Sequence, residues 1–325
     1  MNWSEYVLPD GTLNGRNLWK RVPLYKGMNG KFVERIYLSP EASYIFKPLT
    51  NGESKDRETW IYKHVLNVFP PIYPRLFASS EVGAGEAGWS IFEDLGPLRH
   101  SYDLELAREV AEQMACWHAF PEGHWSGLTG PGPKPPIEVI VGDLMARRDE
   151  AEAALNKVGG SVSMDWLIRG VTEGLVRTYP RVMSHGDLHL GNYARAADGR
   201  MYIIDWEHAH LNTPFWDLYH LIDISHPLFP KRMSMPDREI LLDYYLKQCD
   251  HFGRKWNREG FIRDYCRFSA VFSLWMLLLI SGDLERGDSV WPRDRLLSQK
   301  NETEDNLNGC LTRLLFVNDE GDKPA

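Results

Sequence analysis

One stretch of the sequence, residues 185–206, limits the folds that the chain can adopt. It begins with H-G-D-L-H-L-G-N, in which Asp187 and Asn192 lie five positions apart and two glycines favour a loop over a helix. The following residues alternate in polarity and turn at the dipeptide that starts with Asp198, which is typical of a β-hairpin. Asp205 comes directly after the second apolar strand. The pattern therefore predicts a polar loop and then a hairpin that ends in another carboxylate.

These three side chains are the groups that phosphoryl transfer requires. The reaction needs a carboxylate that receives the proton of the attacking hydroxyl, and oxygen ligands that hold magnesium on the phosphates. We interpret Asp187 as the base and Asn192 and Asp205 as the ligands, because Mg²⁺ prefers hard oxygen donors. The alternative is a set of ordinary loop residues, since an H-x-D-x-x-x-x-N match arises by chance in roughly a few per cent of chains of this length. An apolar strand that ends in aspartate shortly afterwards makes coincidence much rarer.

The order of predicted elements indicates an α+β chain. Its 325 residues, 43% of them hydrophobic, suffice for about two domains. The N-terminal part is rich in predicted strands and contains one helix (Phe32–Leu38, Tyr44–Pro48, Glu53–Val68 and Trp89–Phe92). We therefore expect a small strand-rich lobe, residues 1–95, and a larger helical lobe, residues 96–325.

The larger lobe is predicted to be mainly helical. Its helices are expected at Tyr102–Phe120, Ile137–Leu155, Met164–Thr178, Pro236–Phe252, Asn257–Ser281 and Asp294–Phe316, with a further helix that begins at Thr213-Pro214. Residues 121–136 contain nine Gly or Pro and are expected to be irregular. The apolar stretch Phe268–Gly282 is too short for a confident membrane span, so we expect a buried core helix there.

Charge and cysteine content narrow the class of protein. The formal net charge is -8, which argues against a nucleic-acid partner because such proteins usually carry a basic face. The four cysteines are far apart and form no C-x-x-C pair, which favours reduced thiols and a cytoplasmic location. Residues 1–10 lack the basic-then-apolar pattern of a signal peptide. We expect neither a nucleic-acid nor a membrane partner.

The motifs resemble those of a known family, the aminoglycoside phosphotransferase and choline kinase superfamily. The resemblance is most specific in S-H-G-D-L-H-L-G-N, residues 184–192, and in I-I-D-W-E with the later P-F-W-D-L, within residues 203–218. It implies a two-lobed, protein-kinase-like fold with ATP between the lobes. By motif match, Asp187 is the catalytic base and Asn192 and Asp205 are the Mg²⁺ ligands. Asp217 and His185 match positions that support the loop rather than take part in catalysis.

The same resemblance suggests an ATP-binding lysine in the small lobe. Lys47 ends the apolar strand Y-I-F-K, and a lysine placed there can reach the α- and β-phosphate oxygens. Glu58 on the next helix is its expected partner. Glu53 is a weaker candidate, because a carboxylate is favoured at a helix start in any case.

Two further segments are candidates for nucleotide binding. Gly27, Asn29 and Gly30 would belong to the loop over the phosphates, although their spacing departs from G-x-G-x-x-G and two glycines are more often just a turn. Residues 91–95 resemble the hinge between lobes, where backbone groups near Phe92, Glu93 and Leu95 would bond to adenine.

Other functions remain open at this point. A histidine metal site is disfavoured because H-E-x-x-H is absent and the paired histidines lie in a loop. A non-catalytic nucleotide-binding protein is an alternative, as is an atypical protein kinase. The expected acceptor is a small molecule with a hydroxyl group, such as an aminoglycoside, an amino alcohol, a sugar or a homoserine-like alcohol. Candidate groups for its pocket are acidic or aromatic: Glu207, Asp223, Asp283, Glu285, Asp288, Trp206, Trp216, Trp275 and Trp291.

Overall fold

The computed structural model describes residues 1–27, 30–49, 57–80, 88–128, 132, 134–159, 162–175, 178–287 and 289–318. The chain divides into two compact units. The first unit comprises Met1–Arg99 and Arg195–His208, and the second comprises His100–Ala194 and Ala209–Ala325. The segment that carries Asp205 therefore belongs with the N-terminal residues. The lobe boundary at residue 95 remains a prediction.

The first unit is built on a five-stranded antiparallel sheet in the order β1-β2-β3-β5-β4. The strands are β1 (Lys20–Lys26), β2 (Phe32–Ser39), β3 (Ala42–Pro48), β4 (Leu76–Ser79) and β5 (Trp89–Glu93). One face of β2, β3 and β5 contributes Ile36, Phe46 and Ile91 to a buried cluster. The two strands predicted at Phe32–Leu38 and Tyr44–Pro48 are confirmed as the central pair β2 and β3.

Helix α1 (Arg57–His64) follows the sheet strand that carries Lys47. It ends earlier than the predicted Glu53–Val68, because a 3-10 turn at Leu66–Val68 replaces its last turn and the following prolines cannot continue a helix. Ile61 is fully buried, which fixes the rotation of the helix about its axis. Residues 50–56, which include Glu53, lie outside the described part of the chain.

The second unit is mainly helical, as predicted. Its helices are α2 (Leu104–Ala119), α3 (Ile137–Ala146), α4 (Arg148–Lys157), α5 (Met164–Arg169), α6 (Pro214–Ile222), α7 (Met235–His251), α8 (Arg258–Arg286) and α9 (Arg293–Asn318). A 3-10 segment at Glu122–Leu128 lies within the stretch expected to be irregular.

Two predicted helices are interrupted. The helix expected at Ile137–Leu155 breaks at Arg147, whose φ and ψ are -115° and 38°. The helix expected at Met164–Thr178 changes into a π-helical turn at Gly170–Leu175. A β-carbon on Gly170 would lie 2.8 Å from the Arg267 side chain, so glycine permits this close approach of α8.

Helix α8 has the length and hydropathy of a membrane-spanning helix, and it alone passes that test among the described residues. Within its most apolar window, 56% of the residues are buried inside the protein. Side chains of α8 also bind a buried carboxylate, since the Tyr265 and Ser269 hydroxyls each donate to Asp223 at 2.6 Å. These contacts agree with the predicted core helix.

Short strands frame the polar loop that the sequence singled out. Strand β6 (Val182–Ser184) pairs antiparallel with β9 (His210–Asn212) and leads directly into the loop. The loop ends where β7 (Tyr193–Arg195) begins the hairpin with β8 (Met201–Ile203). Gly199 has a φ of 83° at the turn, which confirms the predicted hairpin turn.

Candidate active site

The first unit contains an ammonium group surrounded by carboxylates, which we call the Lys47 cluster (Lys47, Glu58, Asp205 and Glu207). Lys47 Nζ lies 3.0 Å from Glu58 Oε2, 2.6 Å from Asp205 Oδ1 and 3.2 Å from Glu207 Oε2. The lysine side chain is only 15% exposed. Burial lowers its pKa, but the carboxylates outweigh burial and raise the pKa of Lys47 well above its ordinary value. Lys47 is therefore held as a cation.

Glu58, the partner expected for Lys47 from the family resemblance, contacts it. Burial raises the pKa of Glu58 to about 7 against the opposing attraction of Lys47, with Asp205 and Glu207 adding to the rise. The cluster thus holds more negative charge than its single cation can neutralise. A second cation would relieve this excess.

Asp205 occupies a strained backbone position. Its φ is 65°, and it has the one positive φ recorded for a non-glycine residue in the part of the chain that the structure describes. Trp206 fixes the adjoining turn, because its indole N–H donates to the Ile203 carbonyl at 3.1 Å and its side chain is fully buried. The Asp205 side chain remains 36% exposed. Strain of this kind concentrates at functional sites, where the surrounding structure maintains it.

Gly27, Gly30 and the predicted hinge at residues 91–95 also belong to the first unit. Gly30 has a φ of 79° and donates its N–H to the Gly27 carbonyl at 2.9 Å. Asn29 is outside the described residues. Phe92 is buried in β5, and the Glu93 backbone N–H already donates to the Arg75 carbonyl at 2.8 Å. Within the predicted hinge, only the backbone near Leu95 lies beyond the sheet.

The polar loop of the second unit, which we call the Asp187 loop (residues 185–192), is fixed by a buried carboxylate. Asp217 accepts the Ser184 hydroxyl at 2.6 Å. It also accepts the backbone N–H groups of His185 at 2.8 Å and Gly186 at 3.0 Å. Asp217 is fully buried, and although burial alone would raise its pKa, His118 and, to a smaller extent, the Ser184 hydrogen bond hold the pKa well below its usual range. The supporting role predicted for Asp217 agrees with these contacts.

Asn192 closes the Asp187 loop from its other end. Its side-chain N–H₂ donates to the Asp187 carbonyl at 2.7 Å and approaches Asp187 Oδ2 at 3.4 Å. The Asn192 amide oxygen is then the group of this side chain that is suited to a cation. Gly186 adopts a φ of 86°, and its carbonyl accepts the Trp216 indole N–H at 2.9 Å. The loop backbone is thus bonded on both sides of Asp187.

A lysine that sequence reasoning missed also reaches Asp187. Lys134 Nζ lies 3.2 Å from Asp187 Oδ1, with the two side chains 29% and 19% exposed. Lys134 belongs to the proline- and glycine-rich stretch before α3. A single lysine between prolines carries no periodic signal, so nothing local linked it to a loop far along the chain.

Imidazole rings complete the surroundings of Asp187. His189 Nε2 lies 3.6 Å from Asp187 Oδ2, and His220 Nε2 lies 3.9 Å from Asp187 Oδ1. Burial lowers the pKa of His189 to about 3 and that of His220 to about 4, despite the attraction of Asp187. Both rings are therefore neutral at neutral pH.

The histidines do not form a recognisable metal centre within the described residues, where no group of three or more His, Cys, Asp or Glu side chains is placed to share an ion. Instead, each ring has a protein partner. His189 Nδ1 accepts the Gly191 N–H at 2.9 Å, and His220 Nδ1 is 2.8 Å from the Trp216 carbonyl. His189 stacks on His226 with ring centres 4.4 Å apart.

Most of the acidic and tryptophan groups suggested for an acceptor pocket serve the protein core or pair with nearby cations. Asp223 is 1% exposed and accepts Arg238 at 2.6 Å. Glu207 belongs to the Lys47 cluster, and Asp283 pairs with Arg286. Trp206 and Trp216 are buried, whereas Trp291 is partly exposed and contacts His226. The fully buried residues are unsuited to recognise a ligand; Asp288 lies outside the described residues.

Comparison with known proteins identifies the family. The family model described as "Phosphotransferase enzyme family" (APH) matches residues 61–256, more than half of the chain. The protein therefore belongs to the phosphotransferase enzyme family, as its motifs predicted. A search of curated proteins finds no match.

Solved structures with the same fold include three phosphotransferases. Choline kinase LicA from Streptococcus pneumoniae is 17% identical, with a TM-score of 0.53 over 90% of this chain and 94% of that one. The GDP complex of wild-type aminoglycoside 2'-phosphotransferase-IIIa is 14% identical, with a TM-score of 0.60 over 89% and 94%. Spectinomycin phosphotransferase, in complex with ADP and spectinomycin, is 11% identical, with a TM-score of 0.52 over 92% and 93%. The predicted α+β kinase-like fold is confirmed.

Proposed function

We propose that the protein is an ATP- and magnesium-dependent phosphotransferase that phosphorylates a hydroxyl group of a small molecule. The observation that carries this proposal is the Asp187 loop, in which Asp217 and Asn192 fix the backbone around a partly exposed carboxylate. A preorganised carboxylate is what a general base needs, since geometry comes before proton affinity. Family membership supports the same reaction.

In the proposed mechanism, Asp187 receives the proton of the acceptor hydroxyl as the hydroxyl oxygen forms its bond to the γ-phosphorus. The bond between that phosphorus and the bridging oxygen breaks, and ADP leaves with the electron pair. Lys47 exchanges a carboxylate partner for α- and β-phosphate oxygens, while Glu58 keeps its side chain in place.

The donor set of the chain fits Mg²⁺. Asp205 offers a carboxylate that is 36% exposed, and Asn192 offers an amide oxygen because its nitrogen is bonded to Asp187. These are hard oxygen ligands, and Mg²⁺ typically takes one or two of them and completes its shell with phosphate and water. When bound, the ion neutralises charge on the phosphates. We propose Asp205 and Asn192 as its protein ligands.

A small acceptor is favoured over a protein acceptor. Protein kinases follow the metal-binding aspartate with Phe-Gly and a long activation segment. Here Trp206 follows Asp205, and only eleven residues separate Asp205 from Asp217. The residue before Asp187 is Gly186, which offers no charge to a regulatory phosphate. The spectinomycin complex of a structural neighbour supports the same choice. We further propose a cytoplasmic protein without a nucleic-acid or membrane partner.

The test is substrate-dependent ADP release. Purified protein is incubated with MgATP and a panel of aminoglycosides, amino alcohols, sugars and hydroxy acids, with generic proteins as a parallel acceptor set. We expect saturable ADP release with at least one small hydroxyl compound. Efficient labelling of a protein acceptor without small-molecule turnover would contradict the proposal. A nucleotide-dependent rise in melting temperature without any ATP consumption would favour the non-catalytic alternative.

A further inference from the structure

The charge next to the proposed base is positive. Lys134 Nζ lies 3.2 Å from Asp187 Oδ1, and Asp187 is its one carboxylate partner among the described residues. An ammonium group has three donors, and this one makes a single hydrogen bond in that part of the chain. Its side chain is 29% exposed, so a ligand that reaches Asp187 also meets Lys134.

Imidazole rings lie beside Asp187 in the described part of the chain. His189 Nε2 and His220 Nε2 are 3.6 Å and 3.9 Å from its carboxylate oxygens. His226 stacks on His189 and meets the edge of Trp291, with ring centres 5.2 Å apart. These rings offer flat faces and hydrogen-bonding nitrogens to an acceptor, whereas Lys134 offers it a cation.

Two acids of the second unit already have protein partners. Asp223 is enclosed by Arg238, Tyr265 and Ser269. Asp143, on α3, accepts the Trp275 indole N–H at 3.2 Å. An ammonium near the reacting hydroxyl would meet Lys134 as a like charge and would compete for Asp187, the proposed base. An anionic group would instead pair with Lys134 and leave Asp187 to the hydroxyl.

From this arrangement we propose that the acceptor carries an anionic group, a carboxylate or a phosphate, near the hydroxyl that is phosphorylated, and that Lys134 binds this group. The inference rests on the proposed function and specifies its substrate class. When the anion takes Lys134 as its partner, the ammonium leaves Asp187, and the freed carboxylate oxygen accepts the hydroxyl proton. Lys134 thus links recognition of the acceptor to release of the base.

The test uses related acceptors in which one group carries a different charge. Each scaffold is supplied in neutral, carboxylate, phosphate and amine forms: glycerol with glycerate, glycerol 3-phosphate and 3-aminopropane-1,2-diol, and glucose with glucuronate, glucose 6-phosphate and glucosamine. We expect kcat/KM for an anionic form to exceed that for the amine form by about 10-fold or more, the usual value of a charge-assisted hydrogen bond. The carboxylate and phosphate arms show which anion is used.

The variant Lys134→Met should lower kcat/KM for the anionic acceptor about 10- to 100-fold and bring the ratio of kcat/KM between the anionic and neutral forms of the same scaffold close to one. Lys134→Arg should retain the anionic preference, because the charge remains. Lys157→Met is the matched control, since Lys157 is 67% exposed and pairs with Glu304 on α9. It should leave the preference unchanged.

Distinct outcomes separate this inference from the proposed function. Equal or better turnover of amine forms by the wild-type protein would overturn the anionic acceptor while leaving a phosphotransferase in place. An equal loss for anionic and neutral acceptors in Lys134→Met would show a structural role only and would overturn the assignment of Lys134. Absence of ADP release with every scaffold and with the wider hydroxyl panel would overturn the proposed function itself, and the anionic acceptor with it.

Discussion

The Lys47 cluster and the Asp187 loop are held in place by different kinds of interaction. In the Lys47 cluster, one ammonium is shared among three carboxylate side chains. In the Asp187 loop, a buried carboxylate and an amide are bonded mostly to backbone groups. A side chain can exchange its ion-pair partner for a phosphate or a cation without moving the backbone. Hydrogen bonds to backbone groups instead hold the loop in a single geometry.

The difference indicates a division of labour. The Lys47 cluster has excess negative charge and changeable partners, which suits a region that must admit a polyphosphate with its cation. The Asp187 loop is preorganised, which suits the group that acts at the reacting hydroxyl. Loss of one carboxylate from the Lys47 cluster should therefore lower activity only in part. Loss of Asp217, which anchors the Asp187 loop, should instead destabilise the whole second unit.

The largest effect on stability is expected for substitution of Asp217, which anchors the Asp187 loop. Asp217→Ala removes a buried carboxylate and leaves the His185 and Gly186 N–H groups without their acceptor, so we expect the free energy of unfolding to fall by about 3–5 kcal/mol. Urea denaturation measures this change. The matched control is Asp243→Ala, which removes a half-exposed pair with Arg258 and should cost at most about 1 kcal/mol. Equal losses in the two variants would show that Asp217 does not anchor the loop.

In the Lys47 cluster, the expected loss of activity depends on which residue is removed. Glu58→Ala leaves Lys47 with two carboxylates, so kcat/KM for ATP should fall by less than in Lys47→Ala. In the double variant, the loss should equal that of Lys47→Ala alone, with a coupling energy of about 1–2 kcal/mol. Initial rates over a range of ATP concentrations measure this cycle. Additive losses would mean that the two side chains do not act together.

A smaller effect concerns pH and a lysine outside both regions. Burial lowers the pKa of Lys231 from 10.5 to about 7, against the attraction of Asp223 and Glu302, while its ammonium donates to carbonyls at the end of α6. Between these pKa values the unfolded chain holds a proton that the folded protein has released. The free energy of unfolding should therefore rise with pH from about 7 to about 10, by at most about 1.4 kcal/mol per unit.

The measurement is urea denaturation of the wild-type protein and of Lys231→Met at several pH values. The variant lacks the titrating group, so its stability should rise less over this range than that of the wild-type protein. Parallel pH dependences would place the pKa of Lys231 in the folded state near that in the unfolded chain.

The sequence predicted both regions where local patterns carry the information. The five-residue spacing of Asp187 and Asn192 predicted that the two side chains lie together in one loop. Glu58 was expected beside Lys47 because its helix follows the strand that carries Lys47. Glu207 was instead assigned to an acceptor pocket, and Lys134 was missed. Both meet their partners through contacts between distant segments, which leave no periodic trace in the sequence.

The ends of the helices were also not predictable from local sequence patterns. The break at Arg147 contains neither glycine nor proline, so the hydrophobic period runs through it without interruption. The π-helical turn after α5 depends on how closely α8 approaches Gly170, which is a tertiary contact. Local propensity specifies the type of each element here, and packing between elements decides where it ends.

Asp187→Asn tests the central claim most directly, through its turnover and its affinity for MgATP. The account predicts a fall in kcat of about 10²–10⁴ with ATP affinity nearly unchanged, because the base is lost and the nucleotide ligands remain. Asp205→Ala, measured beside it, should instead lose the tightening of ATP binding by magnesium. Near wild-type turnover in Asp187→Asn would contradict the account, since the reaction would then proceed without the carboxylate that the Asp187 loop holds in place.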